Sequence, residues 1–384
     1  MKTKTIRFSL GMGALALGIS ACGGARPQDE NAFLAGVPEV GALELSITDD
    51  AQSEGLATDD DQVGAVASDA LGSLTEHLIA PTPTAEGLAS AREAARQLNQ
   101  ALRDFLQPIA ALVRSAEPDQ VADDVAQWGP VTRGDTEYRF FVKKGLLRRF
   151  GWALQARPAG SSDEFANVAA GGIQVGLAAR RGRGVVGVDL DALGSVDPTV
   201  SAQGQLLAAF AHGPAGTALA YGVRDFARYG DPTPVDAAFA GVHLRDGYNR
   251  VRLAYHGDLP ETPSAAQETL LARVRHHRGS GGRSDLLAFG GDIADGKFWV
   301  VSECWDSGLT STYRIVRECP GDGIGGERCV EQSVSGSAAA CLADLRTAEL
   351  PPADAEAPMA DSESPEQDLV APTEMPDGEA PSDG

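Results

Sequence analysis

The chain has 384 residues, a formal net charge of -22 and a hydrophobic fraction of 43%. That length suffices for one large or two modest domains with a sizeable core. The charge is unevenly distributed along the chain. Residues 22–62 carry ten acidic residues and one base, Arg26, and residues 349–384 carry eleven acidic residues and no base. Residues 129–348 carry 24 acidic and 24 basic residues. Phosphate backbones repel such a chain, so the composition argues against nucleic-acid binding.

The first residues of the chain have the pattern of an export signal. Lys2, Lys4 and Arg7 precede an apolar run that ends at Ile19, and the small residues Ser20 and Ala21 lead into Cys22. The apolar run is too short to cross a bilayer as a helix. Small residues directly before a cysteine suit a peptidase that cuts at that point.

This segment resembles the lipobox of bacterial lipoproteins, which signal peptidase II cleaves. The resemblance implies that residues 1–21 are removed and that Cys22 carries lipid, so the membrane is the expected partner. Because Gly23 and Gly24 replace the aspartate of many inner-membrane lipoproteins, it also implies the outer membrane of a Gram-negative bacterium, with the body facing the periplasm or the outside. An ordinary secretory signal cut after Ala21 is the alternative.

The two acidic flanks are predicted to be disordered. Residues 22–62 form a polar segment that we expect to act as a tether between the membrane and the body. Residues 349–384 combine eleven acids with seven prolines and few apolar residues, a composition typical of a solvated tail.

Residues 63–128 are predicted to be helical. A first apolar stripe ends at Pro81, where Pro81-Thr82-Pro83 breaks the pattern. A second helix is expected to begin with Thr82 as its cap and Pro83 in its first turn, with a kink at Pro108. Its apolar stripe comprises Leu88, Ala91, Ala95, Leu98, Leu102, Phe105, Ile109 and Leu112. We expect this stripe to cover the core of the domain itself.

Residues 129–348 are predicted to be an antiparallel β domain. Apolar residues alternate with polar ones, as in Tyr138, Phe140 and Val142, and turn signals such as Asp246-Gly247 separate the segments. About eight to eleven strands are expected in one strongly curved sheet or barrel. The predicted fold class is therefore α+β, with N-terminal helices packed on a large curved antiparallel meander resembling a half-barrel.

Four cysteines lie near the end of the β domain, at Cys304, Cys319, Cys329 and Cys341. Their spacing matches neither a zinc knuckle nor a redox motif, so two structural disulfides are predicted for an exported chain. Of three connectivities we favour Cys319 with Cys329 and Cys304 with Cys341, because the turn near Ser307-Gly308 would place Cys304 opposite Thr312 rather than Cys319.

No cofactor or metal is predicted. The string from Gly182 to Gly187 matches G-x-G-x-x-G, but Val186-Gly187-Val188 continues as a strand rather than opening a helix, so a nucleotide site is not expected. His276 and His277 are adjacent on a strand and face opposite ways, which argues against joint metal binding.

The sequence favours a non-enzymatic binding or assembly module of the cell envelope, with a lipid or protein partner. One specific version is a carrier of apolar ligands, by fold-level analogy with half-barrel proteins such as the lipoprotein-carrier family. Its candidate cavity residues are Trp152, Phe298, Trp299 and Trp305.

Two alternatives remain open. One is an envelope hydrolase that uses dispersed residues, Asp189 and Asp191 with His212 or His256, where the two aspartates are expected on one strand face. The other is a purely structural surface lipoprotein. A hydrolase requires these groups to converge in one cleft, and a carrier requires an apolar cavity between helices and sheet.

Overall fold

The computed structural model of the chain describes residues 31–37, 85–176, 182–200, 202–228, 234–258, 266–294, 296–321 and 329–345. The predicted signal peptide, Cys22, the first predicted helix and the acidic tail at 349–384 lie outside these residues.

A single antiparallel sheet of 15 strands dominates the structure, and each strand pairs with its neighbours in chain order. The strands are β1 (Gln120–Ala122), β2 (Val125–Arg133), β3 (Thr136–Lys144), β4 (Arg149–Pro158), β5 (Ala166–Val175), β6 (Gly182–Asp189), β7 (Ala202–His212), β8 (Gly216–Arg228), β9 (Val235–Leu244), β10 (Tyr248–Asp258), β11 (Gln267–His277), β12 (Gly281–Gly290), β13 (Lys297–Asp306), β14 (Ser311–Pro320) and β15 (Val330–Gly336). Several connections are short turns, which favour pairing between strands that follow each other in the chain. At the β13–β14 turn, for example, the Asp306 carboxylate accepts the backbone N–H groups of Gly308 and Thr310.

Three α-helices accompany the sheet in the described ranges: α1 (Asn31–Leu34), α2 (Glu86–Ser115) and α3 (Leu190–Val196). Helix α2 lies against one face of the sheet, here called the helix face. Its first turn donates the Gly87 N–H to Glu303 of β13 at 3.2 Å. Near its middle, Asn99 accepts the Tyr221 hydroxyl of β8 at 3.1 Å. At its end, the Ala116 carbonyl accepts the Trp128 indole N–H of β2 at 3.1 Å.

The main hydrophobic core lies between α2 and the helix face. It contains Leu88, Leu106 and Val113 of the helix together with alternate residues of the strands from β2 to β14. This alternation is the period-two pattern that puts every second side chain on one face of a sheet. A smaller cluster, which includes Leu271 and Leu287, lies on the opposite face, here called the outer face.

The predicted fold class, α+β with N-terminal helices packed on a half-barrel-like meander, is wrong. Over the described residues, the structure is mostly one 15-stranded antiparallel sheet with a single long helix, and the sheet already begins at Gln120. Several strands were missed because their outer-face residues are small, as with Ala218, Ala220 and Gly222 of β8. Such residues do not produce the contrast between apolar and polar positions that signals a strand.

Both favoured disulfides are present. Cys304 is bonded to Cys341 and Cys319 to Cys329, with Cα–Cα distances of 5.5 and 4.1 Å. The first bond fastens the segment after β15 to the outer face of β13. The chain therefore reaches Leu345, the last described residue, beside strands β11 to β13.

Candidate membrane-contact site

The chain order of the strands sorts the turns into two sets at opposite ends of the sheet. In an antiparallel meander, successive connections alternate between the two ends. The connections β1–β2, β3–β4, β5–β6, β7–β8, β9–β10, β11–β12 and β13–β14 lie at one end, and those from β2–β3 to β14–β15 lie at the other.

The described residues of the two ends differ in charge. At the first end, the described connections contain three bases, Arg148, Arg245 and Arg278, and three acids, Asp123, Asp124 and Asp246, and three more bases, Lys143, Lys144 and Arg149, flank the β3–β4 turn. At the second, the described connections contain no base and six acids: Asp135, Asp163, Glu164, Asp191, Asp197 and Asp292. We call them the basic end and the acidic end. The domain is thus electrically polarised along its strands, although the charge of residues 129–348 sums to zero.

The β3–β4 hairpin is the most unusual feature of the basic end. Its sequence from Lys143 to Arg149 is K-K-G-L-L-R-R. The two leucines at its tip, Leu146 and Leu147, are 72% and 78% exposed. Large apolar side chains this exposed, with two bases on either side, are typical of a surface that contacts a partner or a membrane.

The backbone of this tip is strained. Leu147 and Arg148 have φ angles of +56° and +58°, in the left-handed region that costs an L-residue about 1–2 kcal/mol. The hairpin is closed below them by the Gly145 N–H, which donates to the Arg149 carbonyl at 2.7 Å. In this conformation the Leu147 side chain is 78% exposed, so the turn presents it to solvent.

An acidic residue of the neighbouring β1–β2 turn offsets only part of the positive charge of the β3–β4 hairpin. Asp124 lies 3.8 Å from the Lys143 ammonium, and both side chains are about half exposed. Such a surface pair contributes less than about 1 kcal/mol. Lys144 and Arg148 remain exposed beside the leucines.

The N-terminal segment docks next to this hairpin. Helix α1 contacts β3, and Phe33 and Val37 are buried in the main core. Gly36 packs against Phe150, the residue after the hairpin, so closely that an added Cβ would lie 2.6 Å from the Phe150 Cβ. The chain therefore enters the folded body at the basic end.

No family model, curated protein or solved structure matches this chain. Among the described helices, none has both the length and the apolar character needed to cross a membrane.

The acidic end keeps its charge through local hydrogen bonds. The Arg157 guanidinium donates to Glu137 at 2.8 Å and holds the pKa of that carboxyl below its usual value. Burial opposes ionisation of Asp197, but hydrogen bonds from Thr199 and Tyr138 lower its pKa. Burial and the adjacent Asp197 carboxylate in turn raise the pKa of Tyr138. These carboxylates are therefore ionised at neutral pH.

The four aromatic residues predicted to line a ligand cavity are divided between the two faces of the sheet. Trp152 is buried in β4 and stacks on Phe140, and it shares the main core on the helix face with Trp299 and Trp305 of β13. Phe298 belongs to the cluster on the outer face. Between α2 and β9–β12 the structure has a cavity of about 10 Å³, which is room for about one water molecule rather than an apolar ligand.

The residues of the hydrolase alternative are also separated. Asp189 caps α3 by accepting the Ala192 N–H, and Asp191 lies in that helix and accepts the Gly204 N–H. His212 pairs with Gly182, seven residues along β6 from Asp189, which is about 23 Å. His256 lies on β10 and contacts Thr269. The expected shared strand face of the two aspartates does not exist, because the strand ends at Asp189.

Proposed function

We propose that the protein is a lipid-anchored, non-enzymatic binding or assembly module of the cell envelope whose body stands with its basic end on an anionic membrane surface. The observation that carries this proposal is the β3–β4 hairpin, with two exposed leucines between two pairs of bases. In this orientation the acidic end faces away from the membrane and is available to partners.

The energetics of the hairpin suit reversible surface binding. Each leucine contributes about 1.5–3 kcal/mol when fully buried in an apolar environment. Each base close to an anionic leaflet adds about 1 kcal/mol. The sum is sufficient for docking but is well below that of a spanning helix, and the bases make the interaction dependent on anionic lipid and on ionic strength.

The predicted anchor and the hairpin are compatible in position. The residues from Cys22 to Phe33 span at most about 40 Å when fully extended. Since Phe33 and Gly36 pack beside the base of the hairpin, a lipid on Cys22 would keep the basic end close to the bilayer. Tethering raises the effective concentration of the hairpin at the surface, so weak contacts suffice to orient the body.

The test is a vesicle-binding measurement on the mature chain, residues 22–384, with Cys22→Ser so that acyl chains do not contribute. Binding to vesicles containing phosphatidylglycerol is compared with binding to neutral phosphatidylcholine vesicles at low and high salt. The informative variant is Leu146→Ser/Leu147→Ser. The matched control is Val330→Ser/Val334→Ser, because these edge-strand valines are 61% and 59% exposed but lie on β15.

The proposal predicts binding to anionic vesicles that weakens with salt and falls about 100-fold in the leucine variant, since about 3 kcal/mol of burial is lost. The valine control should bind as the parent chain does. Equal binding to neutral and anionic vesicles, or an unchanged affinity of the leucine variant, contradicts the proposal. Mass spectrometry of the natively expressed protein tests the anchor separately, by showing whether Cys22 is acylated.

A further inference from the structure

The outer face of strands β4 to β9 is an apolar surface with very short side chains. Three adjacent rows of six residues cross these strands in register, and the middle row contains Gly151, Gly172, Val185, Ala209, Ala220 and Ala240. The other two rows lie two residues to either side along each strand. All of these positions are glycine, alanine, valine or leucine except Arg149, Gln174 and Arg183. We call the three rows the alanine face.

The alanine face is open to solvent. Gly222 is its one buried residue, and Val242 is 38% exposed. Its bulkiest apolar side chains in the first two rows, Val185 and Leu207, are partly exposed and belong to neither hydrophobic cluster of the body. An apolar surface that packs against neither core and carries no charge at its centre is typical of an interaction site.

The size of the alanine face matches a small protein interface. Six strands at a spacing of about 4.8 Å, and three rows about 6.8 Å apart, cover about 580 Å². Two such faces packed together bury about 1,150 Å², which is just above the roughly 1,000 Å² that a specific interface needs. Stacked sheets normally lie about 10 Å apart, and alanine and glycine side chains allow at least that close an approach.

The polar residues of the alanine face favour a second copy of the chain as its occupant. Arg149, Gln174 and Arg183 lie in β4, β5 and β6, in the row nearest the basic end, whereas the same row continues through β7 to β9 as alanine, alanine and valine. A two-fold axis parallel to the strands between β6 and β7 would place each polar residue over an apolar residue of the second copy. No two bases of the face would then meet, and the arginine head groups could reach solvent at the edge of the interface.

The same axis also matches large side chains with small ones. Leu207 pairs with Gly187 on one side and with Gly222 on the other, so its side chain projects between two glycines. The axis would place Leu207 of each copy over Gly187 of the other, and Val185 over Ala209. Such interlocking of bulky and small residues gives the close packing found in the centres of stable interfaces.

We infer that a second copy of this chain covers the alanine face, with the two-fold axis parallel to the strands between β6 and β7. Stacked sheets keep their strand directions within about 30° of each other, so the basic ends of both copies point the same way. Both β3–β4 hairpins then reach one membrane, and confinement there favours the dimer further. The dimer itself does not require a membrane and forms in solution.

Sedimentation equilibrium tests the dimer on the mature chain with Cys22→Ser, at protein concentrations from about 1 µM to about 1 mM, the range expected for an interface of this small size. The first variant, Ala209→Arg, places a charge at the centre of the alanine face. The second, Leu207→Ala, removes a side chain that packs on neither core and so leaves the fold intact. The matched control is Ala122→Arg, at an exposed alanine of β1 outside the alanine face.

The inference predicts a monomer–dimer equilibrium for the parent chain and for Ala122→Arg. Ala209→Arg should raise the dissociation constant at least about 100-fold, because two charges would be buried without a counter-charge, and Leu207→Ala should raise it about tenfold. A parent chain that is monomeric throughout this range, or a dimer that both variants leave unchanged, overturns the inference. If Ala209→Arg instead weakens vesicle binding of a monomeric parent, the face contacts lipid and the inference is also overturned.

A distance measurement tests the direction of the axis. A spin label on Ala215→Cys lies in the exposed β7–β8 turn at the basic end, outside the interface. With the axis parallel to the strands, the two labelled Cα atoms lie about 15 Å apart, whereas an axis across the strands separates them by about 30 Å. Electron–electron dipolar spectroscopy of the dimer distinguishes the two. The shorter distance supports the inference, and the longer one overturns it without affecting the proposed contact of a single hairpin with the membrane.

Discussion

Replacing Leu147 by glycine should make the protein more stable and a weaker membrane binder at the same time. Leu147 has a φ angle of +56° and is 78% exposed, so its side chain contributes little to the folded state. Relief of the left-handed strain is worth about 1–2 kcal/mol, and the extra freedom of glycine in the unfolded chain costs about 0.4–1 kcal/mol. The expected net gain is about 0.5–1 kcal/mol.

The same substitution removes one of the two leucines from the hairpin tip. A loss of about 1.5 kcal/mol or more of apolar burial should weaken binding to anionic vesicles at least about tenfold. Urea unfolding and vesicle co-sedimentation measure the two effects on one protein. Leu146→Gly is the matched control. Leu146 is as exposed but is not in the left-handed region, so its replacement should weaken binding without stabilising the fold. Destabilisation by Leu147→Gly, or unchanged binding, refutes the reasoning.

Three further predictions concern the body. Gly171→Ala should destabilise the fold by about 1–3 kcal/mol, because an added Cβ would lie 2.4 Å from the Val185 carbonyl oxygen and 2.5 Å from the Trp152 ring. Removing the Cys304–Cys341 bond, with a sequence separation of 37, should cost about 4 kcal/mol, and removing Cys319–Cys329, with a separation of 10, about 3 kcal/mol. Stability should also fall as the pH drops below about 6.5. Burial and the nearby Arg92 lower the pKa of His276 in the folded state. The unfolded chain therefore binds the proton at a higher pH than the folded chain does, and protonation favours unfolding.

Each of these predictions has a control. Gly151→Ala should be tolerated, since the nearest atom to its added Cβ is 4.0 Å away, and equal effects of the two alanine variants would contradict the packing argument. For the disulfides, the argument is that a bond closing a longer loop restricts the unfolded chain more. A larger loss of stability on removing Cys319–Cys329 than on removing Cys304–Cys341 would contradict it. His276 accepts the Trp305 indole N–H at 3.3 Å. His276→Gln should remove the fall in stability below about pH 6.5 that is attributed to His276. An identical pH profile of the variant would rule that explanation out.

Local patterns predicted the features that depend on neighbours in sequence. The antiparallel strands follow from alternation such as that of Tyr138, Phe140 and Val142, and the disulfide pairing follows from the turn near Gly308. The predicted start of α2 at Thr82 is too early, since the described helix begins at Glu86. Local sequence could not show this, because the side chain that binds the first turn lies far along the chain. The Gly87 N–H is satisfied by Glu303, far along the chain, and Ala85 provides no side-chain cap.

Prediction of the candidate site requires both the sequence and the order of the strands in the sheet. The segment K-K-G-L-L-R-R is visible in the sequence, but net charge alone suggested only that the chain avoids anionic surfaces. The polarity of the two ends appears once the strand order shows that the β3–β4, β9–β10 and β11–β12 turns share one end. Similarly, Arg250, Arg275 and Arg283 form one row only through their register across three strands.

The orientation of the body on the membrane is the central claim, and depth-dependent fluorescence quenching tests it most directly. An environment-sensitive probe is placed through Leu147→Cys at the hairpin tip or Glu164→Cys at the acidic end, in the unacylated chain on phosphatidylglycerol vesicles that carry a lipid-borne quencher. The account predicts quenching and a blue shift at position 147 and neither at position 164. Quenching at position 164, or the absence of quenching at position 147 in vesicle-bound protein, would contradict it.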